Sequence, residues 1–329
     1  MSWDLLGHEW AEKLLKKHIA NNEIRHAYLF TGAPGIGRRS MALAFARAIN
    51  CTNPPAAGEF CGKCRVCRQT LGQTQPDLSI VEPENEGGMI KVDQVRKLQH
   101  SLSLTPYEAR YRIALLLNFQ QANANAQNAL LKTLEEAPEK VILLLTADSV
   151  DNLLPTIASR CEILRLRPVA VDTLESSLQS RWGFAAREAH LYARLSNGRT
   201  GQALKMAADT TLQDKRTSQV DELLRILPLT RRERFSAAEP LVRNRDLLRF
   251  TLQVWLTVAR DLLLIHGKQI SRLVNLDYRE EILRLAGSIS PAQSLEMVNH
   301  LTEAMDQLEV NANLRLTLDN LLLQIPYIR

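Results

Sequence analysis

The chain has 329 residues, 45% of them hydrophobic, and carries a formal charge of +5 with an isoelectric point near 9.0. That size and apolar content are enough for two or three domains with substantial cores. Its apolar runs, such as 113–117 and 141–145, have strand length and fall far short of the roughly 20 residues that a membrane span needs.

The opening MSWDLLGHEW has an acid and lacks a basic segment ahead of an apolar block, so a cytosolic chain without a signal peptide is expected. Apolar positions at helical spacing predict a helix over 9–20. A short apolar run, HAYLFTG (26–32), reads as a buried strand feeding a loop, and 39–50 as a helix rich in alanine and leucine. After a cysteine-rich segment come a strand over 78–83, a helix over 91–102 and a strand over 111–117. A helix over 126–136 and strands over 141–147 and 161–168 follow. Such alternation predicts a largely parallel sheet with helices on both faces. From about Val169 the pattern becomes helical, with three short helices over 169–209 and a bundle over 211–329 that includes long helices at 247–266 and 292–310. The mild positive charge names no nucleic-acid partner by itself.

Residues 31–48, TGAPGIGRRSMALAFARA, lie between strand and helix, where loop amides and a helix N-terminus can cradle phosphate. Gly32, Gly35 and Gly37 fill the glycine positions of a phosphate loop. Arg38, however, stands where lysine reaches the outer phosphates, and Arg39 where a hydroxyl ligates magnesium; Ser40 comes one position late. A guanidinium binds oxyanions but does not replace an ammonium conservatively. A hydrolase also needs acids at a strand end to hold magnesium and activate water, and the strand YRIALLLNFQQA ends in Leu117 and Asn118. Loss of a general base alone costs about 10²–10⁴ in rate. The expectation is a chain that does not hydrolyse ATP and whose hold on nucleotide is weakened by the same substitutions.

Four of the five cysteines cluster as Cys51-x₉-Cys61-x₂-Cys64-x₂-Cys67. In a reducing compartment this points to a metal rather than to disulfides. Four thiolates suit a closed, tetrahedral, structural zinc site; the tight spacing keeps an iron–sulfur cluster or reduced thiols as alternatives. Cys161 stands apart and reads as a small, partly buried residue.

Several stretches together resemble the bacterial clamp-loader family of the AAA+ proteins over nearly the whole chain. They are HAYLFTGAPGIG, the four-cysteine insert, QPDLSIVEPE, NALLKTLEEAP (128–138), SRC (159–161) and NANLRLTLDNLLLQIP (311–326). The resemblance implies an α/β AAA+ core at 1–168 with a zinc module at 51–67, a small helical lid at 169–210 and an all-α oligomerisation collar at 211–329. Such loaders open a ring-shaped sliding clamp and place it on primed DNA for the replicative polymerase. Hydrolysing members keep the loop lysine, the acidic pair and an arginine in a G-S-x-R-D-A-like stretch of the lid. Here Gly201 takes that arginine slot, with Arg199 two positions early. Three losses with SRC retained resemble the family's non-hydrolysing members, components of the DNA polymerase III holoenzyme. The resemblance further implies that Arg160, with Ser159 and Cys161, projects as an arginine finger into a neighbour's nucleotide site. The implied partners are the ATPase subunits and the clamp-opening subunit, with clamp and primer-template DNA reached through the complex and no membrane involved. Two other classes are carried beside it. An ATP-hydrolysing motor would turn over ATP alone, and a stand-alone zinc-dependent DNA-binding protein would bind DNA without partners.

Glu135 and Glu136 sit on a helix, where adjacent positions face different ways, and are read as helix-end or interface charges. His26 is expected to pack or hydrogen-bond ahead of the first strand, and Trp255 to belong to the bundle core. The basic run 231–249 is read as a solvated helical face, with DNA or a partner as the alternative.

Overall fold

The structure is a computed structural model that describes residues 3–85, 88–309 and 312–328. The chain forms two compact units, one of residues 1–170 with 198–202, the other of 171–197 with 203–329. Among the described residues no helix is long and apolar enough to cross a membrane.

The first unit runs α1 (Glu9–Ala20), β1 (Ala27–Thr31), α2 (Arg38–Asn50), α3 (Arg65–Leu71), β2 (Leu78–Val81) and α4 (Val92–Leu102). It continues with β3 (Arg112–Leu116), α5 (Ala124–Glu135), β4 (Val141–Ala147), α6 (Pro155–Ala158) and β5 (Glu162–Arg165). The strands form one parallel sheet in the order β2-β3-β4-β1-β5. Helices cover both faces of this sheet, so β1, β3 and β4 are buried along their whole length and read as unbroken apolar runs. Alternate side chains divide between the faces. Tyr28, Phe30, Ile113, Leu115 and Leu144 meet Leu15, Met41 and Phe45 of α1 and α2. Leu29, Leu116, Leu143 and Leu145 meet Val95, Leu98, Leu130 and Leu134 of α4 and α5. The short helices α3 and α6 form where the sequence pattern gave only connecting segments.

Parallel strands gather the loops that leave β1, β3 and β4 at one edge of the sheet and the segments that enter β1 and β5 at the other. That polarity positions everything discussed below. A buried carboxylate braces the entry edge: Asp77 accepts the N–H groups of Tyr107, Glu108 and Ala109 at 2.7, 2.9 and 2.9 Å, and Arg112 Nη2 at 3.2 Å. Burial pushes its carboxyl up, but these donors outweigh burial and hold it below the usual carboxylate range.

The second unit is helical: α7 (Val171–Trp182), α8 (Ala186–Leu195), α9 (Thr200–Ala208, whose first residues count with the first unit), α10 (Thr210–Ile226), α11 (Arg231–Ala237) and α12 (Arg245–His266). It ends with α13 (Arg279–Ser288), α14 (Pro291–Glu309) and α15 (Leu314–Gln324). The expected end of the long helix at Val310, and Asn311 at the head of the last family-like stretch, lie outside the described residues. Trp255 is fully buried among Val220, Leu223, Leu252 and Leu301, and its Nε1 donates to Gln219 O at 2.9 Å.

The basic run 231–249 is not wholly a solvated face. Arg234 is 2% exposed, and its five N–H donors all reach carbonyls. Nε donates to Leu229 O at 3.0 Å, Nη1 to Leu322 O and Ile325 O at 3.1 and 2.9 Å, and Nη2 to Leu227 O and Pro326 O at 2.6 and 2.8 Å. One guanidinium thereby closes the carboxyl ends of α10 and α15, where the helix dipole favours a cation. Arg245 is turned inward in the same way, donating to Leu308 O at 2.5 Å and Ala312 O at 3.3 Å.

Candidate functional site

The glycine loop leaves β1, which lies between β4 and β5, at the exit edge. Gly35 has φ +78°, and a Cβ there would lie 2.8 Å from the backbone nitrogen of Gln202. Gly37, at φ 113°, caps α2 with no side-chain hydrogen bond, leaving the helix's first amides to whatever occupies the loop. Arg38 opens the helix, one residue earlier than the sequence pattern placed it, and is 7% exposed. Its guanidinium turns to the neighbouring strand ends: Nη1 donates to Asp148 Oδ1 at 2.6 Å and Nη2 to Asn118 Oδ1 at 3.1 Å. Asn118 is held in the left-handed region, φ 51°, with its amide donating to Thr146 Oγ1 at 2.8 Å. The slots for an acidic pair thus contain a buried Leu117 and an amide that serves Arg38. Arg39 lies at the side of the loop cavity, donating to Gln73 Oε1 at 2.7 Å and lying 3.6 Å from Glu82 Oε2.

A cavity of about 240 Å³ remains, lined by Gly35, Gly37, Arg38, Ser40, Asn118 and Gly201 among others. The stretch 198–202 packs on its rim. Gln202 N donates to Gly35 O at 3.2 Å and Arg199 Nη1 to Pro34 O at 3.4 Å. A Cβ on Gly201 would come within 2.9 Å of Gly35 O. Any side chain in that slot, arginine included, would push the rim off the loop, and Arg199 holds loop backbone instead.

Arg160 lies at the entry edge, in the turn between α6 and β5. Its Nη2 meets Glu135 Oε1 at 2.6 Å and its Nη1 donates to Thr156 O at 2.9 Å. The two side chains are 34% and 50% exposed, so this is a surface pair of the kind that contributes at most about 1 kcal/mol. Glu135 is therefore a helix-end charge with a definite partner. Arg160, Ser159, Arg25 and His26 line an open cavity of about 490 Å³. The side chain of His26 is exposed there rather than packed, while its carbonyl accepts from Leu143 N at 2.8 Å. Burial pushes the Cys161 thiol up to about 12, which suits an unreactive packing residue. Strands of five to seven residues put the two edges on the order of 15–20 Å apart. Arg160 cannot reach its own chain's glycine loop.

The ligand sulfurs of Cys51, Cys61, Cys64 and Cys67 all lie within 4.8 Å of one another. Four thiolates about 2.3 Å from a zinc ion stand roughly 3.8 Å apart, so the cluster fits a metal with little adjustment. Backbone N–H groups already serve the sulfurs: Cys61 N donates to Cys51 Sγ at 3.3 Å, Cys64 N to Cys61 Sγ at 3.2 Å and Cys67 N to Cys64 Sγ at 3.4 Å. Burial raises the Cys64 thiol, but the amides of Cys67 and Thr52 outweigh it and bring the group down to about 6. The module is tied to the core by the Arg47 guanidinium, 4.0 Å above the Phe60 ring, by Trp3 Nε1 donating to Gly58 O at 3.0 Å, and by Lys16 on Glu59 at 2.5 Å.

A family model described as DNA polymerase III, delta subunit, matches residues 7–170. The delta' subunit of DNA polymerase III from Bacillus subtilis is 27% identical over 317 residues, covering 95% of this chain and 94% of that protein. The chain belongs to the delta-prime family of DNA polymerase III clamp-loader subunits. The Pseudomonas aeruginosa delta' subunit is 40% identical to this chain over 152 residues, 46% of each protein. Among solved structures, a gamma subunit-related protein of DNA polymerase III from Thermotoga maritima covers 95% of this chain and 97% of its own. It is 20% identical with a TM-score of 0.50, a likeness of fold. The fold is therefore an AAA+-like parallel sheet with a mostly helical C-terminal part and a cysteine cluster able to hold a metal.

Sequence reasoning singled out Arg38 and Asn118 but missed that the second holds the first, and missed Asp148 altogether. A signal was present: VILLLTAD carries a carboxylate directly after a buried strand, at the edge where the glycine loop must lie.

Proposed function

We propose that this chain is the non-hydrolysing subunit of a bacterial clamp loader, completing a neighbour's ATP site with Arg160 while its own phosphate loop is retired. The observation that carries the reading is the division of arginines between the two sheet edges. Arg38, in the lysine slot, is consumed by Asp148 and Asn118 inside the chain. Arg160, at the opposite edge, is partly exposed and held by a surface carboxylate and one carbonyl. A guanidinium of that kind can leave Glu135 at little cost and meet the γ-phosphate of ATP bound by an adjacent subunit, where it stabilises charge developing in the transition state. Glu135, Ser159 and the turn after α6 position it. On this reading the partners are the ATPase subunits and the clamp-opening subunit, with sliding clamp and primed DNA met through the complex. Residues 169–210 act as a lid, 211–329 as an oligomerisation collar, and the chain works in the cytoplasm. ATP turnover tests the reading: none by the chain alone, and turnover by the reconstituted complex that depends on Arg160.

Cys51, Cys61, Cys64 and Cys67 are the ligands of one structural zinc, which when bound fixes the segment between α2 and α3 and performs no chemistry. Metal analysis of protein purified without chelator is expected to give one zinc per chain, and Cys64→Ser to lose it on dialysis against a chelator. Protein that is fully folded and zinc-free rejects the assignment.

A further inference from the structure

The phosphate loop of this chain has its cation, but that cation is already paired with an anion. Both terminal nitrogens of Arg38 are engaged, one by a carboxylate at 2.6 Å, and the side chain is 8% exposed. The first turn of α2 carries no acid of its own. The negative charge that a loop arginine attracts is delivered instead by Asp148, just beyond the end of β4. Asp148 is fixed there by its backbone as well, since Gly32 N donates to its carbonyl at 3.2 Å. Asn118, set in the left-handed region by Thr146, holds the other side of the guanidinium.

We propose that Asp148 is a specificity-determining residue that takes the guanidinium bond a phosphate would need and so keeps polyphosphate out of the loop. This rests on the reading of the loop as retired and supplies its cause. The lysine-to-arginine exchange alone would leave a cation able to bind an oxyanion. What denies it to phosphate is the carboxylate already bonded to Nη1. A polyphosphate chain entering the cavity would have to break that charge-assisted bond. It would then lie near a carboxylate without its partner, while the other acid of the cavity, Glu82, faces Arg39 at 3.6 Å. The same contact lets the loop keep a phosphate-loop shape with no ligand, because the ends of β3 and β4 are tied to the start of α2 through one guanidinium.

The test is calorimetric titration of the full-length chain at low ionic strength with inorganic tripolyphosphate, which probes the cradle alone, and with magnesium-ATP. Asp148→Asn retains an oxygen acceptor for Nη1 and removes the charge; Asp148→Ala removes both, and circular dichroism checks that each is folded. Tripolyphosphate is expected to bind Asp148→Asn at least tenfold more tightly than wild type, with the gain abolished by adding Arg38→Ala. Folded variants that bind tripolyphosphate no better than a non-binding wild type overturn the role of Asp148 and leave the retired loop standing. Micromolar binding of magnesium-ATP by the wild-type chain overturns both.

Discussion

Replacing Arg160 by alanine is expected to lower DNA-stimulated ATP turnover at the one site this chain completes by about 10³-fold or more, the range of arginine fingers. Total turnover of a reconstituted loader would fall by that site's share, so single-turnover measurements give the cleaner reading. The chain itself should fold normally, because the lost pair with Glu135 is half-exposed and of little energetic weight. Arg160→Lys should recover part of the rate: the charge remains, but not the planar fork that engages two phosphate oxygens. Unchanged single-turnover kinetics in the alanine complex would remove Arg160 from the mechanism.

The largest expected effect on stability lies in the helical unit. Arg234→Met keeps the apolar stem and leaves five carbonyls at the ends of α10 and α15 without their donor. Each buried acceptor left without a donor costs about 1–3 kcal/mol, and with partial relaxation of the two helix ends a total of about 3–5 kcal/mol is expected. Urea unfolding of the full chain should show a loss of that order, with hydrogen exchange accelerated first in α10 and α15. Arg234→Lys should fall between, since an ammonium has three donors for five acceptors. A loss below about 1 kcal/mol in the methionine variant would mean that water replaces the guanidinium at these helix ends.

Most of the α/β unit was legible because its signals are local. Unbroken apolar strands such as 141–147 and the helical period over 9–20 appear at those bounds. The glycine loop was legible as a motif, as was its departure from the working pattern. What replaced the lysine's function was not: Asp148 lies 110 residues beyond Arg38, and only the β3-β4-β1 strand order brings the two together. The same limit hid the role of 198–202, five residues inside a helical region that fold onto the glycine loop. Arg234 was misread for a related reason. Within RRERFSAAEPLVRNRDLLR nothing distinguishes it from its exposed neighbours. Its burial depends on where two remote helices end.

ATP turnover by the purified chain, alone with magnesium and primed DNA, decides whether the loop is retired. None above background is expected, because the lysine slot is spent on Asp148 and the acidic pair is replaced by Leu117 and Asn118. Turnover that disappears in Arg38→Ala would contradict it, making this loop a working motor site and Arg38 one of its parts.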